Sequence, residues 1–226
     1  MRILSFCLLL LFPTFIMAQE GRKVTCRVVA LDPATPPPAL LASSGDGAEI
    51  KVAVPTGTLS EEMSLYSKTD VFTFLNATDR KPAATATLPA GIKAAILLFV
   101  AGPKTQAAQS WRVFVIEDSA KNFPDGGAFV ANFHNKNIRF VIGEHKIMLK
   151  PAGSTGVARP TDRDEFNMAA VTFQFQQDET WRDASESTLR FLPGTRYLMI
   201  AFVDPASGRP RIVTFQDINT KAPAAS

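Results

Sequence analysis

The stretch Phe123 to Leu149, FPDGGAFVANFHNKNIRFVIGEHKIML, carries the clearest strand and turn pattern of the chain. It opens with a Pro-Asp-Gly-Gly turn, and an alternating run follows in which Phe129, Ala131 and Phe133 share one face. A polar corner at 134–137 leads into a second alternating run, and a Gly-Glu-His turn leads into a third. Because turn signals separate short runs of period two, the stretch predicts a β-meander.

Short alternating or apolar runs also fill the rest of the chain. They predict strands at 21–31, 48–54, 71–77, 84–88, 94–101, 111–117, 170–176, 188–192, 196–204 and 211–217. The run at 94–101 is apolar on both faces, which predicts a central buried strand. The Pro-rich residues 32–47 and the charged residues 151–165 predict loops. Residues 59–67 fit either a short helix or a strand.

This pattern predicts an all-β protein made of two small antiparallel β-sandwich units, immunoglobulin-like and about 100 residues each. A strand that carries Asn76 is followed by another strand and then by a Pro-Ala-Gly turn at 89–91. A strand that carries Asn132 is followed by a hairpin and then by a second Pro-Ala-Gly turn at 151–153. We interpret this repetition as an echo between two units whose boundary lies near 118–123. The predicted segments are a signal peptide at 1–18, a first unit at 19–118 and a second unit at 119–226.

The N-terminus predicts a secretory signal peptide. Arg2 precedes an apolar run, and the small residue Ala18 stands before Gln19, so we expect cleavage between Ala18 and Gln19. The run is too short to span about 30 Å of hydrocarbon comfortably. Ile16 is larger than the small residue preferred three positions before a cut, so an uncleaved anchor is the alternative. We expect the mature chain to be periplasmic or extracellular and to contain no transmembrane span.

Composition excludes some classes of partner. The chain has 24 basic and 21 acidic residues, which are interspersed, and a net charge of +3. No basic stripe is present, so nucleic acid is not an expected partner. Phe occurs 17 times, whereas Trp and Tyr occur twice each. This bias favours buried sheet faces over an aromatic-lined sugar groove.

Removal of the signal leaves Cys26 as the one cysteine of the mature chain, because Cys7 lies within the signal. Three interpretations of Cys26 are open. The favoured one is a small apolar residue buried in the first strand. The second is an intermolecular disulfide. A catalytic thiol ranks last, because the chain has only 2 histidines and neither is near Cys26 in sequence.

No motif assigns a catalytic, cofactor or metal site. The two histidines, His134 and His145, are expected at opposite ends of one strand roughly 20 Å long, so a shared metal ion is disfavoured. We interpret both as exposed turn residues. Asp162, Asp164 and Glu165 lack the Gly and the distant Glu of a calcium-binding EF-hand loop, so we interpret them as a solvated charged loop.

The motif FPDGGAFVANF at 123–133, followed by IRFVIG at 138–143 and a Pro-Ala-Gly turn, resembles a group of uncharacterised secreted bacterial β-sandwich proteins. The resemblance covers residues 65–217, and its motifs are structural turns. It implies an exported β protein. It transfers no functional residue, because the group has no assigned activity.

Two functional hypotheses follow. The first is a non-enzymatic extracytoplasmic module for binding or envelope assembly, with no cofactor, whose partner is an unidentified protein or glycan of the envelope. The alternative is a secreted polysaccharide-active hydrolase that uses loop carboxylates. A cleft in which two acidic side chains face each other at about 5 to 10 Å would favour the hydrolase.

Overall fold

The computed structural model describes residues 21–102, 111–204 and 207–218, and these residues form 16 β-strands and no helix. The predicted signal peptide, with its cleavage site at Ala18 and Gln19, lies outside the described residues. Within the described ranges, no helix has the length and apolar character needed to cross a membrane. The prediction of an all-β protein is therefore confirmed.

The strands fall into two consecutive sets of eight. The first set is β1 (Arg22–Ala30), β2 (Leu40–Gly45), β3 (Ala48–Val52), β4 (Met63–Ser67), β5 (Val71–Asn76), β6 (Pro82–Thr87), β7 (Ala94–Ala101) and β8 (Trp111–Glu117). The second set is β9 (Ala128–Asn132), β10 (Ile138–Ile142), β11 (His145–Leu149), β12 (Ser154–Val157), β13 (Met168–Gln177), β14 (Thr180–Arg190), β15 (Thr195–Val203) and β16 (Pro210–Ile218).

These strands form four sheets of four strands each. The first inner sheet has the order β4-β1-β7-β8, and the first outer sheet has the order β3-β2-β5-β6. The second inner sheet has the order β12-β9-β15-β16, and the second outer sheet has the order β11-β10-β13-β14. Each sheet draws all of its strands from one set of eight.

The sheets stack as four layers with three apolar cores between them. One core joins the first outer and first inner sheets, and a second joins the second inner and second outer sheets. A third core lies between the two inner sheets. Strand β7 contributes to two of these cores. Leu97 faces the first core, whereas its neighbours Ile96 and Leu98 face the third. A strand buried on both faces reads as continuously apolar, so the prediction of a central buried strand at 94–101 is confirmed.

The topology of the first set is repeated in the second, strand for strand, eight strands later. Even the register agrees. Thr25 pairs with Ala94 and Ala128 pairs with Tyr197, so both parallel pairs join residues 69 positions apart. The β-bulges also correspond, since one follows Phe74 in β5 and the other follows the equivalent residue Phe173 in β13.

Two predictions about pairing are wrong in part. The sheets are not wholly antiparallel, because β1 pairs with β7, and β9 with β15, in parallel. The stretch 123–149 is not a meander either, because β9 lies in an inner sheet and only β10 and β11 form a hairpin. The polar corner at 134–137 carries the chain from one layer to the next. Alternation shows which residues share a face, but it does not show which strands pair.

Other boundaries also differ from the sequence prediction. Strand β2 lies in the predicted Pro-rich loop at 32–47, and β12 lies in the predicted loop at 151–165. The ambiguous residues 59–67 end in strand β4. The Pro-Ala-Gly echo is wrong in detail, since 89–91 follows β6 whereas 151–153 follows β11, and these strands do not correspond.

Candidate functional site

A cleft with a volume of about 890 Å³ opens where the two inner sheets meet. Seven charged residues line it, and four of them, which bind one another, we call the joint cluster: Arg27, Asp118, Arg196 and Asp217. Arg27 lies in β1 and Asp118 directly follows β8, so both come from the first set of strands. Arg196 in β15 and Asp217 in β16 are cross-strand partners in the second set. The cluster therefore joins the two halves of the chain.

Each carboxylate of the joint cluster binds both guanidinium groups. Asp217 accepts four hydrogen bonds, at 2.5 and 3.1 Å from Arg27 and at 3.0 and 2.5 Å from Arg196. Asp118 accepts one from Arg27 at 2.7 Å and one from Arg196 at 2.8 Å. The Arg196 guanidinium also lies 4.0 Å from the centroid of the Phe123 ring and donates to the Phe123 carbonyl.

The cluster is neutral in sum and largely removed from water. The side chain of Asp217 is 4% exposed and that of Arg196 is 8% exposed. Burial alone raises the pKa of Asp118, but the hydrogen bonds and charges of Arg196 and Arg27 outweigh it and hold that pKa below its usual value. Burial lowers the pKa of Arg27, but Asp217 and Asp118 outweigh it and raise that pKa. The cluster is therefore a set of ion pairs.

This chemistry does not suit acid catalysis. A glycosidase of the two-carboxylate type needs one carboxyl group that carries a proton, and therefore a raised pKa. Asp118 has a lowered pKa, and Asp217 is occupied by four hydrogen bonds. Five carboxylates line the cleft: Glu61, Glu62, Asp118, Asp125 and Asp217. The two that meet in the joint cluster, Asp118 and Asp217, both bind arginines. The joint cluster is a structural connection between the sheets.

A second polar group lies on the solvent-facing side of the second outer sheet. We call it the outer patch: Arg139, Gln174, Asp183 and Trp181. Arg139 stands between the buried residues Ile138 and Phe140, so strand alternation directs it outward. The patch spans β10, β13 and β14, since Arg139 pairs with Gln174 and Gln174 pairs with Asp183.

The outer patch is held by its own hydrogen bonds. Arg139 donates through Nε to Gln174 at 2.5 Å, and Gln174 donates through Nε2 to Asp183 at 2.5 Å. The Arg139 guanidinium lies 4.6 Å from the centroid of the Trp181 ring, a cation–π contact. The carboxylate, amide, guanidinium and indole groups are thus fixed relative to one another on a sheet surface.

The predicted histidines occupy different environments. His134 is buried, with 7% of the residue exposed, so its interpretation as an exposed turn residue is wrong. It belongs to the corner at 134–137. Its backbone N–H donates to Oδ1 of Asn132, and its Nδ1 accepts from the backbone N–H of Lys136. Burial and then the charge of Lys136 lower the pKa of His134. His145 is half-buried beside Glu144, at 3.4 Å.

The predicted charged loop at 151–165 is held by hydrogen bonds between carboxylates and backbone N–H groups. Asp164 accepts from the backbone N–H groups of Phe166 and Met168, and Glu144 accepts from those of Thr161 and Asp162. Through ranges 21–102, 111–204 and 207–218, no group of three or more His, Cys, Asp or Glu side chains is placed to hold a metal ion.

Cys26 lies in the first core with none of its surface exposed. Burial raises the pKa of the Cys26 thiol to about 12, against a smaller opposing effect of Arg22. This environment agrees with the small apolar residue that the sequence favours. The intermolecular disulfide stays a prediction, and it would require β1 to separate from its neighbours.

Neither the joint cluster nor the outer patch was predicted from the sequence. The available signal for the joint cluster was weak: Arg196 is the one charge of the apolar strand β15, and Arg27 is one of three charges in β1. The outer patch gave no signal, because β14 was predicted only at its end, 188–192, and Trp181 fell outside it. The sequence matches no protein-family model, and it matches no curated protein.

Proposed function

We propose that the protein is an exported, non-enzymatic binding module that acts in the cell envelope, periplasmic or extracellular. The proposal includes cleavage after Ala18 and two immunoglobulin-like units at 19–118 and 119–226. The partner is a protein or glycan of the envelope. The observation that carries the proposal is the outer patch, a preorganised set of polar groups and an indole ring on an open sheet face.

Two features of the outer patch support a binding role. Its residues contribute nothing to the core beneath them, which is built from alternate residues such as Phe140 and Phe173. Its hydrogen bonds also leave groups unused. Within the described residues, the terminal guanidinium nitrogens of Arg139 and the second carboxylate oxygen of Asp183 have no protein hydrogen-bond partner.

The experiment is co-sedimentation of the mature protein with washed envelope material from the source cells. We expect saturable binding that is weakened in the double variant Trp181→Ala, Asp183→Ala. Reducing sugar is measured in the same samples, and we expect none to be released. Absence of saturable binding would overturn the binding function, and steady release of reducing sugar would overturn its non-enzymatic character.

A further inference from the structure

The structural repeat offers an internal comparison for the outer patch. Arg139 occupies a row of cross-strand neighbours on the second outer sheet: Met148, Arg139, Gln174 and Asp183. The corresponding row on the first outer sheet, placed by the same pairings and the same bulge, is Lys51, Leu41, Leu75 and Pro82. One fold thus carries a hydrogen-bonding row on one outer face and a largely aliphatic row on the other.

Strand length differs in the same place. Strands β5 and β6 have 6 residues each, whereas their counterparts β13 and β14 have 10 and 11. The extra residues at the start of β14 include Trp181, which belongs to the outer patch. At the other end of these strands the extra residue Ala169 is buried in the second core. At the hairpin end the extra residues are Gln176, Gln177, Thr180, Trp181 and Arg182, none of which is buried, so this end of the hairpin does not increase stability through burial. Its extra length therefore serves the exposed face.

The chemistry of the patch selects a type of ligand. Arg139 offers unused donors, Asp183 offers an unused acceptor, and Trp181 offers an apolar ring beside them. A sugar ring matches this set, because its hydroxyl groups both donate and accept and its C–H faces are apolar. A phosphate or nucleic acid ligand matches it less well, because Asp183 would repel its negative charge.

Charge balance points the same way. The opposite charges of Arg139 and Asp183 cancel. In the adjacent row of cross-strand neighbours, which runs from Lys146 to Glu186, the opposite charges of those two residues cancel as well. The row from β11 to β14 crosses three strand spacings, roughly 14 Å, which gives room for a short oligosaccharide. We propose that the outer patch is a binding site for an uncharged hexopyranose glycan, an inference that rests on the proposed binding function and names its ligand class.

The experiment uses the mature protein and soluble, uncharged oligosaccharides of glucose, mannose, galactose and N-acetylglucosamine, with a uronic-acid polymer for comparison. Binding is followed by tryptophan fluorescence and by calorimetry. Trp181 is half-buried at the patch, whereas Trp111 is 8% exposed in the first core, so a ligand at the patch changes mainly the signal of Trp181.

We expect at least one uncharged glycan to bind saturably. Trp181→Ala and Arg139→Ala should each weaken its binding about tenfold, as expected for loss of one aromatic or charge-assisted contact. The matched control is Lys51→Ala, in the corresponding row of the first outer sheet, and it should bind like the wild type. Circular dichroism of every variant tests that the fold is intact.

Two results would overturn the glycan inference while leaving the binding function in place. One is envelope binding that depends on Trp181 but is not competed by any uncharged glycan. The other is glycan binding that Trp181→Ala and Arg139→Ala leave unchanged, which would place the site elsewhere. Preference for the uronic-acid polymer would also contradict the charge argument. Failure of envelope binding itself would be seen separately, in the co-sedimentation assay.

Discussion

The joint cluster makes a strong prediction about stability. Replacing Asp217 by Ala removes the acceptor of four hydrogen bonds and leaves Arg27 and Arg196, at 12% and 8% side-chain exposure, with Asp118 alone. The cluster changes from neutral to a net charge of one positive unit in a largely buried site. Breaking a buried pair by removing one partner costs about 3 to 5 kcal/mol.

The assay is urea unfolding of the mature protein and of Asp217→Ala, compared through the free energy of unfolding. Thermal unfolding provides a second readout. For a chain of this size, a loss of about 3 kcal/mol lowers the unfolding midpoint by about 6 to 12 °C. The control is Glu49→Ala, which breaks an exposed ion pair with Arg80 at 2.8 Å, and we expect it to cost no more than about 1 kcal/mol.

A second variant separates unpaired charge from lost packing. In Asp217→Leu combined with Arg196→Met, the remaining pair of Arg27 and Asp118 is neutral again. We expect this double variant to recover most of the lost stability, because apolar replacement of buried ion pairs is often neutral or stabilising. The reasoning is refuted if Asp217→Ala costs no more than Glu49→Ala, or if the double variant is less stable than Asp217→Ala.

Three further predictions concern single side chains. The pKa of Asp118 is lowered in the folded state, so its contribution to stability is present above its unfolded pKa of about 3.9 and is lost as pH falls further, through the folded pKa. Asp118→Asn should flatten the fall in stability below about pH 4, and an unchanged slope would contradict this. The Cys26 thiol is buried and has a pKa of about 12, so a thiol reagent should label it slowly in buffer and rapidly in urea. Rapid labelling in buffer, or a disulfide-linked dimer, would show that the sulfur is accessible and would contradict this. Hydrogen bonds from the backbone N–H groups of Thr161 and Asp162 help lower the pKa of Glu144 to about 2. Glu144→Ala should speed hydrogen exchange of the Thr161 and Asp162 amides. Unchanged exchange would show that Glu144 does not hold this part of the loop.

The sequence by itself determined the all-β class and the position of most strands. Alternation is a local property, so it located the strand at 170–176, and continuous apolarity marked 94–101 as buried on both faces. Where alternation was short or masked by Pro, as in β2 at Leu40–Gly45, the strand was missed. These successes and failures depend on residues that are neighbours in the chain.

Strand pairing, the stacking of the four layers and the contacts between charged residues became visible in the three-dimensional structure alone. Arg27 and Asp217 are 190 residues apart in the chain, and period-two patterning contains no information about that distance. The outer patch required the register of three strands, because Arg139, Gln174 and Asp183 meet only when those strands align. The physical reason is the same for both sites: they are made by long-range pairing, which local propensity does not specify.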